Sequence, residues 1–267
     1  MSIVFFDSGI GGLTVLHEAL AQLPNEHFIY TADTRHVPYG TKTKEQVLSC
    51  VMDCIAMTVK EADDVKALVV ACNTATGTAI RELRKKYDFP VIGMEPAVKP
   101  AVEMNRANGR RVLAAATPLT LRLSKYTALI NRVDDLKLVD SLPLPELVDY
   151  CERLQFSGAE IEGYFKGKLA GFDLTDYGTL VLGCTHFPFY YNVLRKLLPA
   201  HMSIIDGSRG TVKRLKEVLA ASGILLTHPN AKSGKVRYVC TGQSGVYLAK
   251  MEEALHMYSG MRQLSSE

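Results

Sequence analysis

The stretch ALVVACNT (67–74) recurs in changed letters as TLVLGCTH (179–186). Each copy is an apolar run, a small residue, a cysteine, and then polar side chains. An unbroken apolar run of four or five residues is what a strand buried on both faces looks like, and such strands belong to parallel sheets. A second echo pairs VFFDS (4–8) with LAAAT (113–117), and the two echoes stand in the same order. The chain therefore reads as two similar lobes built on one plan.

Working outward, further strands are expected at 3–6, 28–32, 67–71, 91–93, 111–116, 179–182, 203–205 and 235–240. Helices separate them. Leu13, Leu16, Leu20 and Leu23 keep helical spacing until Pro24 stops the turn. Val47, Cys50, Val51, Cys54, Ile55, Thr58 and Val59 form an apolar stripe, preceded by Thr43 and Gln46 as a capping box. Val212, Leu215, Val218 and Leu219 repeat the pattern, with Gly223 at the end. Strand–helix alternation of this kind predicts an α/β fold, each lobe a mainly parallel sheet flanked by helices with right-handed crossovers.

Composition narrows the functional classes. Of the 267 residues, 47% are hydrophobic and 22% charged, an ordinary globular balance. The net charge of +3 comes from 31 basic and 28 acidic residues spread along the chain, with no basic tract, so nucleic acid is not an implied partner. No apolar run approaches the roughly 18 residues of a membrane span. The opening MSIVFFDSG lacks a basic region and runs straight into a strand, so no signal peptide is expected and the cytosol is the expected compartment. The six cysteines are then expected to be reduced.

Ligands of parallel sheets bind beyond the carboxyl ends of the strands. At those ends stand Asp7 and Ser8 with a GIGG turn, Asp33 with VPYG (37–40), Cys72 with Asn73 and Thr74, Thr117 with Thr120, and Cys184 with Thr185 and His186. Zinc could take Cys72, Cys184 and His186, but no CxxC or HxxxH pair supports it. A cysteine nucleophile with a histidine base needs one thiol, not two in matched contexts. Inert packing explains one strand-end cysteine better than two. Inversion of a carbon centre needs a base on one face and an acid on the other, with roles that exchange in reverse, and a pair of thiols meets that need. Each cysteine is expected at a helix N-terminus, where the dipole favours thiolate, with His186 tuning Cys184. The GIGG turn lacks the Lys of a phosphate loop and follows Asp7, so it is read either as a place where backbone amides approach a small carboxylate or as a plain tight turn, which the pattern fits equally. Cys50 and Cys54 read as core. Cys151 and Cys240 carry no motif.

Together DSGIGG (7–12), Asp33 with PYG (38–40), ACNTA (71–75), Thr117-x-x-Thr120 and GCTHFP (183–188) resemble the glutamate racemases of the cofactor-independent aspartate/glutamate racemase superfamily. The C-terminal part, including IID (204–206), is similar in pattern. The resemblance implies two pseudo-twofold-related lobes, 1–96 plus 208–267 and 97–207, with the active site in the cleft between them. It implies interconversion of L- and D-glutamate without pyridoxal phosphate or metal, supplying D-glutamate for peptidoglycan, and it admits a homodimer. Cys72 and Cys184 match the acid–base pair, with Asp7 and His186 assisting. Ser8, Pro38, Tyr39, Gly40, Asn73, Thr74, Thr117, Thr120 and Thr185 match substrate-contacting positions. Asp33 is a supporting residue, and Asp149 is placed where family members carry glutamate. Departures are Ala116 and Ala32 where glycine is usual and His36 for arginine. The alternatives are a racemase of aspartate or hydantoins, and a small-molecule binding protein without catalysis.

Overall fold

The computed structural model describes residues 1–226, 234–242 and 244–264. The first part of the chain gives β1 (Ser2–Asp7), α1 (Leu13–Gln22), β2 (Phe28–Ala32), α2 (Lys44–Glu61), β3 (Val65–Val70), α3 (Asn73–Lys86) and β4 (Val91–Gly93). The middle gives α4 (Val98–Asn105), β5 (Arg111–Ala116), α5 (Pro118–Arg122), α6 (Ser124–Val133), β6 (Val139–Pro143), α7 (Leu147–Glu152), α8 (Ala159–Leu169), β7 (Tyr177–Leu182), α9 (Tyr191–Leu197) and β8 (Ser203–Asp206). Then come α10 (Ser208–Ala221), β9 (Val236–Cys240) and α11 (Ser244–Leu264). Every expected strand is present, with ends displaced by at most two residues.

The strands form a five-stranded sheet in the order β4-β3-β1-β2-β9 and a four-stranded sheet in the order β6-β5-β7-β8. All paired strands are parallel. Reversed, the second sheet reads β8-β7-β5-β6, the order of β4-β3-β1-β2. The likeness extends to an irregularity. The β1–β3 register slips between Ser2 and Ile3, and the β5–β7 register slips between Arg111 and Val112. So β3 and β7, the strands that deliver Cys72 and Cys184, occupy corresponding places. The last strand, β9, returns to pair with β2 in the first sheet.

β6 was not among the expected strands. Its sequence, VDSLP, is half exposed, polar at Asp140 and Ser141, and ends in proline. Such a strand survives only at an edge, where one side needs no partner. Arg111 on β5 secures it, donating to Asp140 at 2.6 and 2.7 Å, and the Tyr177 hydroxyl on β7 donates to the same carboxylate at 2.7 Å.

The helices follow their sequence signals. Thr43 Oγ1 accepts from the Gln46 amide at 3.2 Å, and the Thr43 amide donates to Gln46 Oε1 at 3.0 Å, which starts α2. Thr43→Ala is expected to lower stability by about 1 kcal/mol with activity unchanged, measured by urea unfolding. Gly223, with φ of +67°, closes α10 in the left-handed conformation that glycine adopts without strain. One buried apolar cluster runs from Phe5, Leu13 and Leu16 through Leu113 and Leu180 to Met251 and Tyr258 of α11. The C-terminal helix is thus packed against both halves. Among the described residues no helix is long and apolar enough to cross a membrane.

Candidate active site

The carboxyl ends of β1, β3, β5 and β7 meet at one small, nearly closed cleft. Ser8, Tyr39, Gly40, Cys72, Asn73, Thr74, Thr117, Cys184, Thr185 and His186 line it, and Val148 joins them. Asp7 is fully buried behind the wall. Thr120 also stands behind it, bonded to Thr74 at 2.9 Å and to Thr117 at 3.0 Å. Pro38 follows a cis peptide bond and precedes Tyr39.

Cys72 is the N-cap of α3, and the Ala75 amide donates to its sulfur at 3.5 Å. The thiol itself donates to Ser8 Oγ at 3.8 Å. Burial pushes the Cys72 thiol well above its ordinary range, the Asp7 carboxylate adds to that, and the Ala75 bond opposes it without prevailing. The expectation that the helix end would favour thiolate is therefore corrected. Desolvation of the charged form outweighs one amide and a helix dipole.

Cys184 departs from expectation in a different way. It is not at a helix N-terminus. The helical turn begins only at Phe187, with His186 as its cap, because Pro188 lacks an amide donor and fits only a first turn. The neighbour of Cys184 is instead His186, whose Nδ1 lies 3.7 Å from the sulfur. The other ring nitrogen, Nε2, lies 2.9 Å from Glu152 Oε1. Burial alone would lower the His186 pKa, but the bonds to Cys184 and Glu152 raise it well above the usual histidine range. Both ring nitrogens thus have a partner, and the raised pKa favours the imidazolium.

Glu152 was missed in the sequence, which pointed to Asp149. Asp149 is exposed on α7, whereas Glu152 is nine-tenths buried. It accepts from the Ile10 amide at 2.9 Å, from Tyr247 at 2.5 Å and from Lys250 Nζ at 3.0 Å, besides His186. Despite burial, these donors, His186 first, hold its pKa at about 2. Helical phase carries the signal that finds it. Val148 lines the cleft, and residue 152 is its i+4 neighbour on the same face of α7. Tyr247 and Lys250, on α11, carry no such signal.

The glycine-rich turn does bring a backbone amide to a carboxylate, but the carboxylate is the protein's own Glu152. At Gly11 a Cβ would run into the His186 ring and the Thr185 hydroxyl, so only glycine lets the turn approach. Asp7 accepts from the Gly9 amide and the Thr185 hydroxyl, each at 3.0 Å. Burial raises the Asp7 pKa, and the His186 charge opposes that. Asp33 acts at one remove, accepting the Tyr39 hydroxyl at 2.6 Å and that of Thr241 at 2.6 Å. Gly40 abuts Thr117, where a Cβ would come within 2.6 Å. Among the described residues, the three possible metal ligands whose donors lie within 4.8 Å of one another are Asp33, His36 and Cys50, outside the cleft.

The Asp/Glu/hydantoin racemase family model matches residues 11–215. A glutamate racemase of Halothermothrix orenii is 51% identical over 223 residues, 84% of this chain and 87% of that protein. One of Campylobacter curvus is 43% identical over 269 residues, 96% of this chain and all of that protein. The crystal structure of the Francisella tularensis glutamate racemase with D-glutamate superposes with a TM-score of 0.81 at 30% identity, covering 96% of this chain and 93% of that one. With matched sequence, matched topology and paired thiols at corresponding strand ends, the chain belongs to the Asp/Glu/hydantoin racemase family.

Proposed function

We propose that the protein interconverts L- and D-glutamate by two-cysteine proton transfer, without a cofactor, and supplies D-glutamate for peptidoglycan in the cytosol. The observation that carries this reading is the pair of buried thiols, Cys72 and Cys184, facing one small cleft from corresponding strands of two sheets with the same strand order. The names of the relatives supply the substrate. The same strand order and register slip support two lobes, 1–96 with 208–267 and 97–207, related by a pseudo-twofold axis through the cleft.

The environments of the two thiols support a division of roles. Cys72 is held as a thiol by burial and by Asp7 and serves as the acid. Cys184, facing the His186 charge, serves as the base; by analogy with the glutamate racemases it takes the α-proton of L-glutamate while Cys72 delivers a proton to the opposite face. The reverse reaction starts at Cys72. Asn73 has both amide atoms buried without a hydrogen-bond partner. Buried polar atoms are nearly always paired, so the side chain is suited to a substrate carboxylate. The hydroxyls of Ser8, Thr74, Thr117 and Thr185 add donors for the charge that develops in the carbanion.

L-glutamate incubated with the pure protein, no cofactor added, is expected to lose its optical rotation. In deuterium oxide the inverted product is expected to carry one deuterium at the α-carbon. Inversion with retained protium would overturn solvent-exchanged proton transfer, and no inversion at all would leave a binding protein.

A further inference from the structure

Beside Tyr39, whose hydroxyl donates to Asp33, the side chains of Asp33, His36 and Cys50 bring a carboxylate oxygen, an imidazole nitrogen and a thiol sulfur within 4.8 Å of one another. Asp33 is buried, while His36 and Cys50 are partly exposed, so the group has a fixed inner ligand and an outer edge that solvent reaches. This donor set is selective. Magnesium and calcium take oxygen ligands, whereas carboxylate, imidazole and thiolate together suit zinc and its thiophilic neighbours. Three protein ligands with a water in the fourth position is an established zinc arrangement.

The spacing is close to what an ion requires. His36 Nδ1 lies 2.9 Å from Asp33 Oδ2. Ligands around a tetrahedral ion with bonds of about 2.0 Å stand about 3.3 Å apart, so the pair needs to open by a few tenths of an ångström. Cys50 Sγ lies within 4.8 Å of both other donors and has the remaining gap to close. Thr241 Oγ1 donates to Asp33 Oδ1 at 2.6 Å and Tyr39 donates to Oδ2 at 2.6 Å, the kind of outer hydrogen bonds that orient a ligating carboxylate. Cys54 follows Cys50 by one helical turn on α2, which places a second thiol on the same face.

We propose that Asp33, His36 and Cys50 form a binding site for a thiophilic divalent cation of the zinc class, separate from the catalytic cleft. Binding displaces the Cys50 thiol proton to the solvent and leaves His36 neutral as a ligand. Because Asp33 also holds the Tyr39 hydroxyl, occupancy is transmitted to the cleft wall.

The test uses the full chain after chelator treatment, titrated calorimetrically with Zn2+ and optically with Co2+, whose thiolate charge-transfer band reports sulfur ligation. The parent protein and Cys184→Ser are expected to bind one equivalent with the band present. Cys50→Ser is expected to lose the band, and both it and His36→Gln to bind at least about tenfold more weakly, since the loss of even an outer hydrogen-bonding partner of a ligand costs about that much. A band that persists in Cys50→Ser would show that another sulfur holds the cation and overturn the proposal; a band that disappears in Cys184→Ser would place the cation on the cleft thiols and overturn it too, as would a parent that takes up no cation. Cation-free Cys50→Ser is expected to racemise like the parent, which confirms its fold. Should it fail to fold, His36→Gln, at a partly exposed position, carries the same binding test. One readout rests on the racemase reading: Zn2+ is expected to raise the KM for glutamate in the parent but not in Cys50→Ser, and an equal rise in both would overturn the link to Tyr39. The binding arms stand apart from that reading.

Discussion

Cys72→Ser and Cys184→Ser are each expected to reduce racemisation about a thousandfold or more in both directions, while the circular dichroism and unfolding midpoint stay near those of the parent. A positioned acid or base contributes roughly 10²–10⁴ in rate. A serine hydroxyl keeps the shape but is far too weak an acid to exchange protons as a thiol does at neutral pH. Both sulfurs sit in nearly closed surroundings, 5% exposed at Cys72 and 7% at Cys184, so bulk water is poorly placed to substitute for either. The two variants are also expected to differ from each other. Cys72→Ser retains the thiol that faces L-glutamate, so it should still exchange the α-proton of L-glutamate with solvent deuterium but not that of D-glutamate. Cys184→Ser should show the opposite preference. Near-parental turnover in either variant would remove the two-thiol scheme. Exchange of both enantiomers by one variant would show that a single group reaches both faces.

The features legible in the sequence were those written in local chemistry. β1, β3, β5 and β7 are unbroken apolar runs, and the residues following them are the cleft. Their pairing into two like sheets was visible because both echoes occur in the same order. The same repeat contained the missed strand, since β6 stands to β5 as β2 stands to β1. Its local pattern was erased by the exposed edge, where Asp140 serves Arg111 and Tyr177 instead of a core. Charge was harder to read than position. The helix end at Cys72 was identified correctly, yet burial and Asp7 reverse its electrical consequence. At Cys184, Pro188 delays the helix and leaves His186 as the partner. Both outcomes depend on three-dimensional desolvation, which no spacing records. Glu152 lay within reach of a helical-phase argument, but Tyr247 and Lys250 arrive from α11, nearly a hundred residues later.

Glu152→Gln tests whether that late-arriving network governs the chemistry. Glu152 gathers donors from the Ile10 amide, His186, Tyr247 and Lys250. Two of the donors are cations, so the carboxylate is their common counter-ion. A glutamine keeps the volume but loses the charge, and its amide group sets a donor against donors. Leaving buried charges without their partner costs roughly 3 kcal/mol. The pH dependence gives the sign. The folded-state pKa of Glu152 is about 2 against an ordinary 4.5, so its contribution is complete above about 4.5 and is lost as pH falls toward 2. The stability gap between parent and variant is therefore expected to be widest at neutral pH and to close under acid, followed by urea unfolding at a series of pH values. Activity should respond in the opposite range. The raised His186 pKa depends on Cys184 and Glu152, so removing the carboxylate lowers it. Racemisation is expected to fall about a hundredfold at neutral pH, and the basic limb of the kcat/KM profile to move to lower pH. Asp149→Asn, at the exposed position that sequence alone had favoured, is the control, expected to change stability by less than about 0.5 kcal/mol and to leave the profile in place. If the basic limb stayed fixed in Glu152→Gln while stability fell, Glu152 would be a structural clamp between α7 and α11, and the charge beside Cys184 would have to be maintained by the sulfur itself.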